Sequence, residues 1–417
     1  MSRSDAPTAA ASELPSDQAD RRARAAALAC MVGLAVVLGV GRFAFTPLLP
    51  LMLADGSIGL KAGGWLASAN YAGYFAGAVS CAALRVAPAR MVRFGLAATV
   101  LLTAAMGIGH LLPVWLAVRF VAGVVSAWTF VFVSQWGLRR LAELHAPEWS
   151  GVIYAGPGVG IVLTGLIGSA LAGRPAASGW LGFAALSAVL SVAIWRTFAV
   201  VPAQAVPAAG TAPHAAAAAS AVSAAPADAR RRRVEAAWLV VLYGTPGFGY
   251  IITATFLPVI ARTALPAGSP WPDLFWPMFG AALIVGAIAA ARLPGHWDNR
   301  LLLAAGCATQ ALGIAAGIVW PNALGFSVGS ALLGLPFTAI TLFAMREARR
   351  LHGERAAGLM GYATASYGVG QIIGPLVAAP LAARFGSFSP ALWVAVAALL
   401  AGAAGFATIA AKGRPRP

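Results

Sequence analysis

The sequence predicts an all-α membrane protein with twelve transmembrane helices in two homologous six-helix bundles. Three observations predict it. Hydrophobic residues make up 60% of the chain and charged residues 10%, whereas a soluble domain covers its surface with about 25% charged residues. The apolar residues gather into twelve runs, close to the roughly 20 residues that a helix needs to cross a bilayer. The last six runs repeat features of the first six at an offset near 208 residues.

The elements follow in order. Residues 1–24 are polar and are expected to form a disordered tail. Apolar runs at 26–53, 63–84, 92–112, 114–137, 150–172 and 180–199 make a first bundle, 25–199. Residues 200–234 form an Ala/Pro/Ser tract ending in Arg230-Arg231-Arg232-Arg233 and lacking Leu, Ile and Phe. Such a tract buries too little apolar surface to fold alone, so it is expected to be a disordered cytoplasmic linker. Runs at 236–261, 271–291, 301–319, 322–345, 356–382 and 390–411 make a second bundle, 235–411, before a basic tail, 412–417.

The net charge of +16 raises the question of nucleic acid. A nucleic-acid binder clusters Lys and Arg on one soluble face; here they sit in short clusters between apolar runs. With both termini inside, 23 of the 29 Lys and Arg fall in inner segments. Four fall outside (Lys61, Arg174, Arg262, Arg384), and Arg42 and Arg119 lie within spans. The positive-inside rule therefore puts both termini in the cytoplasm. Cys30, Cys81 and Cys307 lie in apolar runs with no CxxC pair, so they read as small buried residues. Leu28-Ala29-Cys30 has the form of a lipoprotein cleavage site, but the apolar run continues to Met52, as a mature helix does. No metal and no cofactor is expected.

The internal repeat pairs Gly39-Val40-Gly41-Arg42 and Pro50 with Gly247-Phe248-Gly249-Tyr250 and Pro258. It also pairs Arg85 and Arg93 with Arg292 and Arg300, Pro113 with Pro321, and Tyr154 with Tyr362. Six helices repeated in one orientation imply parallel halves about an axis along the membrane normal.

Twelve spans, a long central loop and a six-helix repeat resemble the major facilitator superfamily. Leu116-x-x-Arg119-x-x-x-Gly123 is similar to that superfamily's helix-4 arginine motif. Gly156-Pro157-x-x-Gly160 is similar to its helix-5 Gly-Pro motif. Residues Arg85 to Arg93 occupy the place of the superfamily's loop signature but lack its Asp and most of its Gly. The run Gly39-Val40-Gly41-Arg42-Phe43-Ala44-Phe45-Thr46-Pro47-Leu48-Leu49-Pro50, with Ala67-Ser68-Ala69-Asn70-Tyr71-x-Gly73-Tyr74, resembles the YbfB/YjiJ branch. The resemblance implies secondary active transport of a small molecule by alternating access, in the lipid bilayer of a bacterial inner membrane, by a monomer. A proton or ion is the candidate coupling partner.

Arg42 is the sharpest individual feature. An unpaired Arg near the bilayer centre costs at least about 2.5–3.5 kcal/mol, so it faces either a wet cavity, as an anion clamp, or helix-end carbonyls, as a structural group. Arg119 offers the same choice at a shallower depth. Asn70 and Tyr74, at i and i+4, share a helix face, and Asn70 bonds either a neighbouring helix or substrate. Trp128, Tyr250 at the repeat position of Arg42, and Gln371 complete the candidate binding set. Gly39, Gly41 and Pro47, and Gly156, Pro157 and Gly160, are candidate bends or gates.

None of the 13 acids lies mid-span, which counts against a carboxylate proton relay in the core. Glu148 and Asp273 remain as candidate protonation sites near helix ends. No catalytic arrangement shares a common depth, so no enzyme is expected. A core Arg without core acids leans toward an organic anion or zwitterion. The alternatives are a proton-coupled multidrug or metabolite efflux antiporter and, more remotely, a non-transporting sensor.

Overall fold

The computed structural model describes residues 16–199, 226–353 and 356–412. The expected tail and linker fall outside the described residues over 1–15 and 200–225, as does the end of the basic tail, 413–417.

The described residues form twelve helical segments. α1 opens as Ser16–Leu34, passes through a π-helical stretch, Ala35–Phe43, and resumes as Phe45–Ala54. α2 is Leu60–Ser80, α3 Pro88–Ile108, α4 Leu112–Glu143, α5 Ser150–Ala170 and α6 Ala176–Ile194. α7 is Pro226–Ala264, α8 Trp271–Arg292, α9 Asn299–Val319, α10 Ala323–His352, α11 Ala356–Phe385 and α12 Ser389–Lys412.

Two helices begin earlier than the apolar runs suggest. α1 takes in residues 16–24, expected as tail, and α7 takes in 226–234, expected as linker. Charge pairs one helical turn apart support these polar extensions: Asp20 with Arg24 at 3.7 Å and Arg231 with Glu235 at 3.0 Å.

Eleven of the twelve segments are long and apolar enough to cross a membrane. The exception is α2, which has 21 residues but carries Lys61, Ser68, Asn70, Tyr71 and Tyr74. Its polarity follows from its place in the middle of the protein. It packs between α4 and α11, and its polar groups bond to those neighbours and to α7: Asn70 Nδ2 to the Arg119 carbonyl at 2.9 Å, Ser68 Oγ to the Ile372 carbonyl at 2.8 Å, and Tyr71 Oη with Thr255 Oγ1 at 3.0 Å.

Helix neighbours repeat at an interval of six. α1 packs on α5 as α7 packs on α11, α2 on α4 as α8 on α10, and α3 on α6 as α9 on α12. Between the two sets, α2 meets α11 and α5 meets α8, two contacts that exchange under the same shift, while α1 meets its own counterpart α7. This is the pattern of a two-fold axis running between the halves.

The halves close against each other at the end away from the termini. Thr46 Oγ1 donates to the Ala254 carbonyl at 3.0 Å. Thr46, Ala254, Thr255, Ser68 and Ile372 all lie in the terminus-distal part of their helices. At the terminus-proximal end of α11, by contrast, a Cβ added at Gly358 or Gly361 would meet open space, and Tyr362 is 71% exposed.

At the terminus-proximal end, the first residues of α3 and α9 tie down the last helix of each half. Arg93 Nη2 donates to the Trp195 carbonyl at 3.0 Å, and Arg300 Nη1 to the Ile409 carbonyl at 3.4 Å. A cation at a helix C-terminus is favoured by the carbonyls left free there. Arg300 belongs to a larger network. Asp298 caps α9 through the Arg300 backbone N–H at 2.9 Å and takes Arg300 Nε and Nη2 at 3.0 and 2.8 Å. Arg350 Nη2 reaches both Glu235 and Glu347 at 2.7 Å.

The hydrogen bonds from Arg300 hold the Asp298 carboxyl below its ordinary pKa. A group depressed on folding contributes stability that is present above its unfolded value, about 3.9, and lost as pH falls through the folded one. The thermal midpoint of the wild type is expected to fall below about pH 4, and Asp298→Asn, which keeps a capping side chain, to flatten part of that fall. A pH series of melting curves for the two proteins checks this.

Candidate substrate site

The site is built around the irregular stretch of α1. π-helical turns are frequent at functional sites because they leave backbone groups without their usual partners. Here Pro47 and Pro50 add to the effect, since neither has an N–H to give to the preceding turn. Arg119 of α4 supplies the missing donors: its Nη1 donates to the Gly41 carbonyl at 3.3 Å and its Nη2 to the Arg42 carbonyl at 3.2 Å. Its guanidinium also lies 4.9 Å from the centre of the Phe45 ring and is 2% exposed. Arg119 thus holds the broken turn of α1 in place.

Arg42 is placed differently. It is 6% exposed, and its Nε and Nη2 are buried without a hydrogen-bond partner. No carboxylate pairs with it among the described residues. Its guanidinium carbon lies 4.3 Å from the Tyr74 ring centre, 5.1 Å from Tyr71 and 5.2 Å from Phe43. Aromatic faces soften the cost of a buried cation but leave its hydrogen-bonding capacity unused.

The second half contributes from across the interface. Tyr250 is fully buried and accepts a hydrogen bond from Gln371 Nε2. Tyr250 stacks on Tyr367 with ring centres 5.9 Å apart. Sequence reasoning missed Tyr71, Tyr243 and Tyr367; their only signal is a polar hydroxyl inside an apolar run. It also missed Trp276, whose ring lies 6.0 Å from Phe43.

Two sequence candidates are engaged elsewhere. Asn70 is fully buried and spends its amide N–H on the Arg119 carbonyl, tying α2 to α4. Trp128 is half-buried, and its indole N–H donates to Ser80 Oγ at 3.0 Å. Among the glycines, Gly39 and Gly160 meet backbone to backbone, and Gly156 packs on Leu34, where a Cβ would lie 2.8 Å from the Leu34 Cβ. Pro157 lies inside α5. Close approach of α1 and α5 therefore accounts for the glycines of the helix-5 motif. Asp273 forms an ion pair with Arg262 at the terminus-distal end of α7 and α8.

A family model described as "Uncharacterised MFS-type transporter YbfB" matches residues 34–406. A chloramphenicol resistance protein from Streptomyces lividans is 29% identical over 390 residues, covering 87% of this chain and 92% of that protein. Among solved structures, the nucleoside transporter NupG superposes with a TM-score of 0.70 at 11% identity, over 93% of this chain and 98% of that one. A D-xylose-proton symporter superposes with a TM-score of 0.68 at 11% identity, over 92% and 97%. At such identities the structures establish the fold. The match along nearly all of the helical core places this chain in the YbfB-type family of MFS transporters, as a multi-pass membrane protein.

Proposed function

We propose that this transporter carries a small organic anion or zwitterion across a bacterial inner membrane by alternating access. The bundle of residues 25–199 rocks against that of 235–411 about a site at mid-depth, with both termini in the cytoplasm, as the 23 to 4 division of basic residues supports. The observation that carries this reading is the Arg42 guanidinium, buried with two nitrogens unpartnered and no acid beside it. A bound carboxylate would supply the missing acceptors and the missing charge. Tyr250 and Gln371 contribute polar contacts from the second half. Arg119 and Asn70 support the site from behind, and the breaks at Gly39, Gly41 and Pro47 let α1 adjust. The protein works as a monomer, and Glu148 and Asp273 are the groups to examine for proton coupling.

A second reading, efflux of an uncharged or cationic drug, is favoured by the likeness to the chloramphenicol resistance protein. One screen separates the two. Purified protein is melted with small organic anions, amino acids and cationic drugs, in wild type and Arg42→Ala. A ligand at about 100 times its Kd stabilises by about 2.7 kcal/mol. Anions are expected to stabilise the wild type and not the variant. Stabilisation by cations alone, equal in both proteins, would make drug efflux the leading function.

A further inference from the structure

The interior beside Arg42 is walled by rings from both halves. In the second half, Tyr243 lies 4.9 Å from Tyr367, Tyr367 stacks on Tyr250 at 5.9 Å, and Tyr250 meets Phe337 edge-on at 4.9 Å. From the first half, Tyr74 lies under the Arg42 guanidinium, and Phe75 meets α11, where a Cβ at Gly368 would lie 3.0 Å from its ring.

These rings differ in burial. Tyr243 and Tyr250 are sealed in the core, while Tyr74, Phe75, Phe337 and Tyr367 keep part of their surface open. Of these, Tyr74, Phe75 and Tyr367 cluster on one side of Arg42. α2 runs from the terminus-distal end, so Tyr74 and Phe75 lie nearer the termini than Asn70. α11 runs the other way, so Tyr367 also lies nearer the termini than Gln371. That is the side on which the start of α11 is exposed.

Two guanidiniums, Arg42 and Arg119, are buried in this part of the interior. Arg119 spends both terminal nitrogens on the Gly41 and Arg42 carbonyls, so of the two it is Arg42 that keeps a terminal nitrogen without a partner. The acids that form ion pairs, such as Asp273, Glu235 and Glu347, lie toward helix ends.

We propose that the occupant is a flat aromatic monoanion, its acid group on Arg42 and its ring between Tyr74 and Phe75 of one half and Tyr367 and Phe337 of the other. This rests on the anion reading above and narrows it. Rings offered edge and face attract a planar π system beyond what its buried area alone provides. A lone guanidinium matches one carboxylate and leaves a second one desolvated and unpaired.

Four probes of similar size test it on the purified full-length protein by thermal-shift titration: benzoate, cyclohexanecarboxylate, terephthalate and benzamide. Benzoate is expected to bind about tenfold more tightly than cyclohexanecarboxylate, the factor that ring–ring contacts of this kind supply, and more tightly than terephthalate. Tyr367→Leu should erase the benzoate advantage, bringing benzoate and cyclohexanecarboxylate to equal affinity; Tyr74→Leu is the second variant should the first fail to fold. The ligand series on the wild type needs no variant at all. Equal affinity for benzoate and cyclohexanecarboxylate, both lost in Arg42→Ala, would overturn the aromatic assignment while leaving the anion site standing. Terephthalate binding as well as benzoate would overturn the single-charge assignment. Benzamide binding as well as benzoate, unchanged in Arg42→Ala, would overturn the anion site itself, and so would the absence of any binding by all four probes and by the wider set of anions.

Discussion

Arg42→Met is expected to melt at a higher temperature than the wild type, while losing all stabilisation by anions. Most substitutions of buried residues destabilise, so the sign is the test. The Arg42 guanidinium is removed from water, with no carboxylate beside it among the described residues and two unpartnered nitrogens. Mid-membrane placement of such a group costs about 2.5–3.5 kcal/mol. The rings of Tyr74, Tyr71 and Phe43 return part of this, at about 0.5–2 kcal/mol for a desolvated contact. A methionine of similar length fills the space without the charge. The net gain is therefore on the order of 1–2 kcal/mol, read as a raised midpoint in detergent. A lowered midpoint would show that Arg42 is bonded as a structural group and would remove the basis for the anion site.

Gly73→Ala and Gly286→Ala are each expected to destabilise by about 3 kcal/mol, the upper part of the range for overpacking. A Cβ at Gly73 would overlap the Phe120 carbonyl oxygen, and one at Gly286 the Leu335 carbonyl oxygen. In both places the obstacle is backbone, so no side chain can turn aside and whole helices must part. The two glycines lie in corresponding helix pairs of the repeat, α2 against α4 and α8 against α10, and each meets a backbone carbonyl, so the two losses should be of similar size. Gly358→Ala and Gly361→Ala are the controls. Their Cβ atoms would meet open space, so they should be neutral or stabilise by up to about 1 kcal/mol through helix propensity. Melting curves of the four variants decide it; equal effects in all four would mean that helix packing at Gly73 and Gly286 is looser than the structure has it.

Much of this was legible in the sequence. Apolar runs located the helices because a bilayer sets a minimum length, and the Arg and Lys asymmetry ordered them. Arg42 stood out because a charge inside an apolar run has few explanations. What stayed hidden depended on contacts between distant segments. Nothing local says that Arg119, rather than substrate, takes the carbonyls of Gly41 and Arg42, or that Asn70 faces α4. The π-helical turn was foreshadowed only by the glycines and prolines around Arg42. The ring wall was invisible, since Tyr74, Tyr243, Phe337 and Tyr367 become neighbours only once the two halves are folded together. Helix ends were misjudged where salt-bridged polar turns extend α1 and α7 beyond the apolar run, because hydropathy registers the bilayer and not the helix.

The two-fold relation between the halves bears on how a guest must lie. Thr46 donates to Ala254, its own repeat counterpart 208 residues on, so the axis passes beside that bond. Arg42 and Tyr250 are counterparts at the same interval and face the same interior. The scaffold is thus built twice, with a guanidinium on one side and a tyrosine at the matched position on the other. A guest entering a fully symmetric chamber could settle in either of two equivalent poses, related by a half-turn. Here the half-turn would bring its acid group to a tyrosine hydroxyl in place of a guanidinium, and one pose is selected. The divergence at this pair of matched positions gives the interior a head and a tail.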